Sequence, residues 1–591
     1  MNSYNKRAYQ VYIVFIPLIF ISISSCKKVI NSELETKILN DGIAFEISGF
    51  DTSDQEEVIN EDEQANQQKG NYERKAVSTV KKTTENYESE LMSFDEFDAM
   101  MVLKEEEKPT LNNSSKKLLK SNSTPSTSNL KAASTAMGPN KTYMVVLYEA
   151  DDQGNPTSYL AQGKGKVGSK LIIKVQSNTH YRWFAYSFNN SKEISNFNPS
   201  NPNVAVIASA DPDNQNSDFL YATGTVKTNA NYQIENPVPI TFLRKTALVN
   251  LELNARGIFG PITAGHIKIP SSATGFKDGT FHIINGNYSS ISNAATIINT
   301  SWINPENSNA PANWVKQKGF YTVPQVAATK FTVNLDSVKL TTTRINDNSP
   351  NTSSTRNRIF YVNNFEFPSI TLREGRRYLA SIQIVESAIS IAGSKWARGN
   401  LYYEKNTAGN EYRIRYDNPH FRNFNGGISN IKDTDYWSTG LKPTESSSSG
   451  ADPCAEIFPK GKWTLPTTTQ YYNLIDYTAI KATRRNQFNN EGWYVTWDNA
   501  TAHISGHPHG HLIFTALGYY NSANNITDFN YAVGSTENTS TNYGDKGYFR
   551  TKTANEYFTL YFRTSNTNKE LGLDVENFIG TRRTMIRCVR K

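Results

Sequence analysis

The stretch "PITFLRKTALVNLELNARG", residues 239–257, sets the texture of the chain. In its second half Ala247, Val249, Leu251 and Leu253 fall on one side of an extended backbone, with Leu248, Asn250, Glu252 and Asn254 on the other. That is the alternation of a strand with one face on a core. Further toward the amino terminus, "THYRWFAYSFNNS", residues 179–191, places Arg182, Phe184, Tyr186 and Phe188 on one face and Tyr181, Trp183 and Ala185 on the other. Both faces are apolar, which predicts a central strand. "KTYMVVLYEADDQGNPTSYLAQGKG", residues 141–165, reads as a hairpin with Tyr143, Val145 and Leu147 on one face and Asp-Asp-Gln-Gly-Asn-Pro as its turn. Downstream, further strands are predicted at Phe331 to Leu335 and Ile359 to Asn363. Another follows the turn at Gly375, with Tyr378, Ala380, Ile382 and Ile384 inward. No long helical period occurs between 140 and 392. A first sandwich over 139–245 and a second over 246–392 are the fitting architecture.

Composition supports a mainly β, exported protein. Of the 591 residues 20% are charged and 12% aromatic, with 32 tyrosines, and Asn, Ser and Thr dominate the polar positions. The net charge of +7 is small for this length and forms no basic stripe, which argues against nucleic acid as a partner. No GxSxG elbow, HExxH, P-loop or GxGxxG after a strand occurs in context, so neither an enzyme nor a cofactor is predicted.

The amino terminus is organised as a leader. Lys6 and Arg7 precede an apolar run from Val11 to Ile23 of about 13 residues, against the roughly 20 a helix needs to cross a bilayer. Ser24 and Ser25 then supply the small side chains a signal peptidase accepts, so residues 1–25 read as a signal peptide and 26–41 as a tether. "GIAFEISGF", residues 42–50, alternates with Ile43, Phe45 and Ile47 on one face, a candidate first strand. Residues 51–138 are expected to be a low-complexity spacer. Asp51 to Ala65 holds seven acidic and no basic residues, and Lys108 to Thr135 lacks acidic and aromatic residues altogether. Within the spacer Leu91, Phe94, Phe97 and Met101 approach helical spacing, a candidate amphipathic helix. Arg74 and Lys75 lie in the exposed segment after the first strand, where a trypsin-like protease could cut; a solvated charge cluster is the competing reading.

Ile23-Ser24-Ser25-Cys26 resembles the lipobox of bacterial lipoproteins, which implies acylation of Cys26 and anchoring in outer-membrane lipid. With the first strand "GIAFEISGF", "YRWFAYSFN", "PITFLRKTALVNLEL" and "TLREGRRYLASIQI", the region from Gly42 to Ala392 resembles the fimbrillin family of Bacteroides-type lipoproteins. The resemblance implies two transthyretin-like β-sandwich domains and, in some members, proteolytic loss of the first strand with strand exchange between fimbrial subunits. Lys27 and Lys28 follow the cysteine where surface-exported members carry acidic residues, which leaves the cell surface and the periplasmic face both open.

From about residue 393 the pattern turns to Trp, Tyr and Gly. Thr467 after Pro466 is a helix N-cap, with Tyr471, Leu474 and Ile475 following at helical spacing. Once Cys26 is acylated, Cys454 and Cys588 remain as an even pair in an oxidising compartment, a candidate disulfide closing a loop that would contribute on the order of 4 to 5 kcal/mol. Two separate buried thiols are the alternative. "HISGHPHGH", residues 503–511, holds His503, His507, His509 and His511, of which the last three form a candidate Zn or Cu site; Pro508 and Gly510 favour a polar loop instead. Trp493, Trp497, Tyr519 and Tyr520 are candidate ligand-binding aromatics, against the alternative that they pack a loop-rich core.

Trp396-Ala397…Asn400-Leu401, Asp452-Pro453-Cys454, Trp463…Leu465-Pro466-Thr467, Gly518-Tyr519 and Arg587-Cys588-Val589-Arg590 together resemble the Fibrobacter succinogenes major paralogous domain. This implies an α+β C-type-lectin-like unit over 393–591. The order of parts predicts a lipid-anchored adhesin or fimbria-associated subunit binding a glycan or host surface protein through this unit. A structural pilin or pilus anchor is the second reading, and a carbohydrate-active enzyme the third.

Overall fold

Strands from the first 105 residues are laid into sheets built mostly from much later parts of the chain. The two longest are β1 (Gly42–Asp51) and β2 (Asp98–Glu105). The computed structural model describes residues 42–51, 86–88, 91–93, 97–106 and 134–591, the last less 416–434, 484–493, 499–510, 521–525, 528–545 and shorter stretches. The chain is mainly β, with one α-helix among the described residues.

The first sheet contains β3 (Thr142–Ala150), β4 (Pro156–Lys166), β5 (His180–Ser187), β6 (Leu220–Lys227) and β7 (Glu235–Arg244), in the order β4–β3–β5–β6–β7–β1. β1 runs parallel to β7 and carries the short strand Leu171–Ile173 on its other side. Ile43 and Phe45 bury against Tyr143, Val145, Tyr181, Trp183 and Ile240, the apolar face the alternation in 42–50 called for. The opposite face, with Met144, Val146, Phe184 and Tyr186, packs on Val206, Phe281 and Ile283, so β5 is central and covered on both sides. The sheet curls until its ends approach. A Cβ on Gly163 of β4 would come within 2.9 Å of Leu171 Cδ1, which shows how closely the two ends meet.

The second unit is a two-layer sandwich. One layer joins β2 to β8 (Ala247–Gly257), β10 (Val315–Thr322) and β13 (Arg377–Val385); the other joins β9 (Ile262–Ile269) to the long hairpin of β11 (Thr329–Asn346) and β12 (Ser349–Ile370). Ala247, Val249, Leu251 and Leu253 point into the shared core with Ile382, Ile384, Phe331 and Val333, the face read from residues 239–257. The other face is covered as well: Asn250 Nδ2 donates to Glu106 Oε2 at 2.9 Å, and Ser381 Oγ to Glu252 Oε1 at 2.6 Å.

Two expectations are corrected here. The stretch around Phe97 and Met101 is strand rather than helix: Phe97, Ala99, Met101 and Leu103 alternate into the core, and β2 pairs antiparallel with β13 from Asp98↔Val385 to Glu105↔Tyr378. Residues 86–88, 92–93 and 98–105 are thus built into the second sandwich, not into a spacer across 51–138. The boundary at 245/246 is also crossed, because Lys277–His282 pairs with Asn203–Val206 of the first unit. The cause is aromatic packing, as Phe281 lies 4.9 Å from Phe219 and 5.0 Å from Tyr221, centroid to centroid.

The third unit opens with Ile389–Ile391 paired to β14 (Ser394–Trp396), a few residues before the expected boundary at 393. It includes β15 (Trp463–Thr464), helix α1 (Thr468–Ile475), β16 (Tyr494–Asp498), β17 (His511–Thr515), β18 (Lys546–Arg550), β19 (Glu556–Thr564), β20 (Lys569–Asn577) and β21 (Val589–Arg590). Thr467 caps α1 in a capping box with Gln470, and Tyr471 and Leu474 bury beneath it. Replacing Thr467 with Ala should lower the unit's stability by about 1 kcal/mol, read by urea denaturation; an unchanged midpoint would show that the packing of Tyr471 alone holds the helix.

Candidate functional site

Asp98, the first residue of β2, is buried and pairs with Arg590, one residue from the end of the chain. Arg590 also donates to the Glu386 carbonyl and lies 4.2 Å over the ring of Trp463, while Glu386 pairs with Arg358 at 2.9 Å. Two acids and two bases are thus shut in where β2, the second sandwich and β21 meet. Taking charges out of water costs several kcal/mol each, and only their mutual pairing offsets it. The pairing therefore fixes the third unit to the second through a strand from the amino terminus.

Inside the third unit Cys454 and Cys588 form a disulfide, with Cα atoms 5.8 Å apart. Asp452 prepares the site by accepting from the backbone N–H of Cys454 at 3.1 Å and of Leu465 at 3.1 Å. Arg587 is fully buried and meets only neutral acceptors: Nε donates to Asn400 Oδ1 at 2.9 Å, Nη1 to Ala397 O at 3.1 Å and Nη2 to Ile513 O at 2.7 Å. Burial pulls its guanidinium down to about 9, still charged at neutral pH. It ties three distant segments rather than forming a ligand site.

An arginine and aromatic surface lies beyond these ties. Tyr520 and Arg583 exchange backbone hydrogen bonds of 2.9 and 3.0 Å, which sets Tyr519 beside Arg582. The Arg582 guanidinium lies 4.3 Å from the ring centroid of Tyr519 and 4.3 Å from that of Phe578. Tyr548 of β18, fully buried, packs edge-on to both rings, at 5.3 and 5.2 Å. Tyr557 of β19 packs on Phe578 at 5.8 Å; burial pushes its hydroxyl up, while Arg550 and Arg582 pull the other way.

The sequence-predicted residues divide accordingly. Tyr519 and Tyr520 are half-buried at this surface, with Tyr520 under Arg583 at 4.7 Å and against Tyr436. Trp497 is a core residue instead: it is fully buried, its Nε1 donates to Leu474 O at 2.9 Å, and it packs on Phe514. Trp493, Arg74, Lys75 and Cys26 lie outside the described residues, as do His503, His507 and His509, while His511 opens β17. Among the described residues no group of His, Cys, Asp and Glu could hold a metal, and no helix is long and apolar enough to cross a membrane. Arg582 and Phe578 carry no motif; the adjacent basic pair Arg582-Arg583 was the available signal.

Residues 129–395, a little under half of the chain, match a family model described as fimbrillin-like. Among solved structures, the tip fimbrial protein Mfa3 of Porphyromonas gingivalis is similar over 42% of this chain and 94% of its own, at 9% identity and a TM-score of 0.23. The fimbrial anchor protein Mfa2 of the same organism is similar over 34% and 71%, at 10% identity and 0.20. A Bacteroides fragilis protein provisionally described as a cell adhesion protein is similar over 45% and 93%, at 13% identity and 0.25. No curated protein matches the chain.

Proposed function

We propose that this protein is a fimbria-associated subunit or adhesin of the cell envelope, anchored in outer-membrane lipid through Cys26, whose third unit binds a glycan or protein ligand. In this reading its two inner units are transthyretin-like sandwiches and the third is C-type-lectin-like. The observation that carries it is the way the fimbrillin-like region is completed: β1, from before that region, fills a slot between β7 and Leu171–Ile173 by main-chain pairing and by burying Ile43 and Phe45. A slot filled by a strand from a remote segment is the geometry of strand addition, in which another chain's strand could take its place.

A cut at Arg74 or Lys75 would release β1 but leave β2, and with it the Asp98–Arg590 pairing, in place. The first unit would then offer an open edge for a neighbouring subunit while the third unit stayed fixed to the second. That division favours the second reading, a polymerising pilin, if the cut occurs, and an anchored adhesin if it does not. Mass spectrometry of the mature amino terminus separates them. An acylated Cys26 at the first position supports the anchored form; a terminus at Lys75 or Ala76 supports exchange. A non-acylated Cys26, with a Cys26→Ser variant still fractionating with membranes, would refute lipid anchoring.

A further inference from the structure

Among the described residues of the third unit, Arg582 stands out as a ligand group. It is half-buried, its guanidinium lies 4.3 Å from the ring centroids of Tyr519 and of Phe578, and it makes no hydrogen bond or ion pair to any described residue. The Tyr519 hydroxyl beside it also makes no hydrogen bond among the described residues. A mobile surface arginine gives up side-chain entropy whenever it binds. Here that cost is already met: the backbone exchange between Tyr520 and Arg583 and the buried Tyr548 fix both flanking rings. Engaged by two rings and by no acceptor among the described residues, the guanidinium keeps an edge of N–H donors to present. An edge of parallel N–H donors matches the two oxygens of a carboxylate in one plane.

We propose that this edge binds the carboxylate of an acidic sugar, a uronic or sialic acid residue, with the Tyr519 hydroxyl taking a neighbouring sugar hydroxyl. The proposal rests on the reading of the third unit as a ligand-binding head and names the class of its ligand. A sugar fits better than an acidic peptide because the site is one fork and one hydroxyl flanked by rings, a footprint of a single residue. A peptide would call for a run of main-chain pairing, whereas the strand here, Tyr519–Tyr520, is already paired on Ile526–Thr527.

The test uses the full mature chain on immobilised oligosaccharides bearing glucuronate, galacturonate or sialic acid, each with its carboxyl-reduced counterpart and with sulfated and neutral glycans and acidic peptides as further arms. Binding of at least one carboxylated glycan is expected, with loss on carboxyl reduction. Arg582→Gln should weaken it roughly ten- to a hundredfold. Arg582→Lys, which keeps the charge without the fork, should recover little, and Tyr519→Phe should cost a smaller factor. Thermal unfolding of each variant confirms that the unit is intact. Carboxylate binding untouched by Arg582→Gln overturns the site, as does preference for sulfated glycans or acidic peptides. Binding confined to neutral glycans overturns it too, but leaves the head a lectin; no binding to any arm by folded protein removes both.

Discussion

Replacing Cys454 and Cys588 together by alanine is expected to cost the third unit about 5 kcal/mol, the loop-closure entropy of a cross-link across 134 residues. The bridge ties the short helical turn Pro453–Glu456 to the segment leading into β21, so it constrains nearly the whole stretch from 454 to 588 in the unfolded chain. Both sulfurs are buried among Ala397, Leu401, Trp437, Trp463 and Ile586. Alanine is the better replacement, because a serine hydroxyl buried there would add a penalty of its own. Trp396, Trp437, Trp463 and Trp497 are fully buried in this unit, so their fluorescence reports its unfolding in guanidinium. The expected outcome is a large fall in the midpoint of that signal, reproduced in wild-type protein by a reducing agent. A shift worth less than about 1 kcal/mol would mean that the reduced chain retains enough structure around 454–588 to make the bridge redundant.

What the sequence shows of this molecule is its local periodicity, and what it conceals is which remote segments share a sheet. Ala247 to Leu253 alternates cleanly, and the structure buries the side that the alternation picks out. The Thr467 cap is legible for the same reason, since a capping box is decided within four residues. Phe97 and Met101 mislead because a spacing of four satisfies both a helix and a strand; Ala99 and Leu103 complete the strand pattern, but alanine is too weak a signal to break the tie. The hairpin from Lys277 crosses to the first unit because Phe281 finds Phe219 and Tyr221, a match no local window contains. The candidate site divides likewise. Tyr519 and Tyr520 are visible as aromatics, whereas Arg582 acquires its meaning only when backbone pairing at Tyr520 and Arg583 brings it beside Tyr519.

The second large effect follows from the buried charges. Asp98→Ala is expected to destabilise the protein by about 3 to 5 kcal/mol, because it leaves the Arg590 guanidinium enclosed with no carboxylate of its own. Glu386, paired with Arg358 at 2.9 Å, also acts on the Arg590 charge and compensates in part, which sets the lower end of that range. Asp98→Asn should cost less, since the amide oxygen still accepts from Arg590 though its charge is gone. Removing both partners as Asp98→Ala with Arg590→Met should recover much of the loss, since methionine keeps an apolar side chain on the ring of Trp463 without a charge to desolvate. The single and double variants compared in urea give the coupling energy. Hydrogen exchange should localise it, with faster exchange in β2 and β21 of Asp98→Ala while β3 and β5 of the first unit stay protected. A single variant within about 0.5 kcal/mol of wild type would mean that water reaches Arg590 and screens it, and β2 could then no longer be said to clamp the third unit to the second.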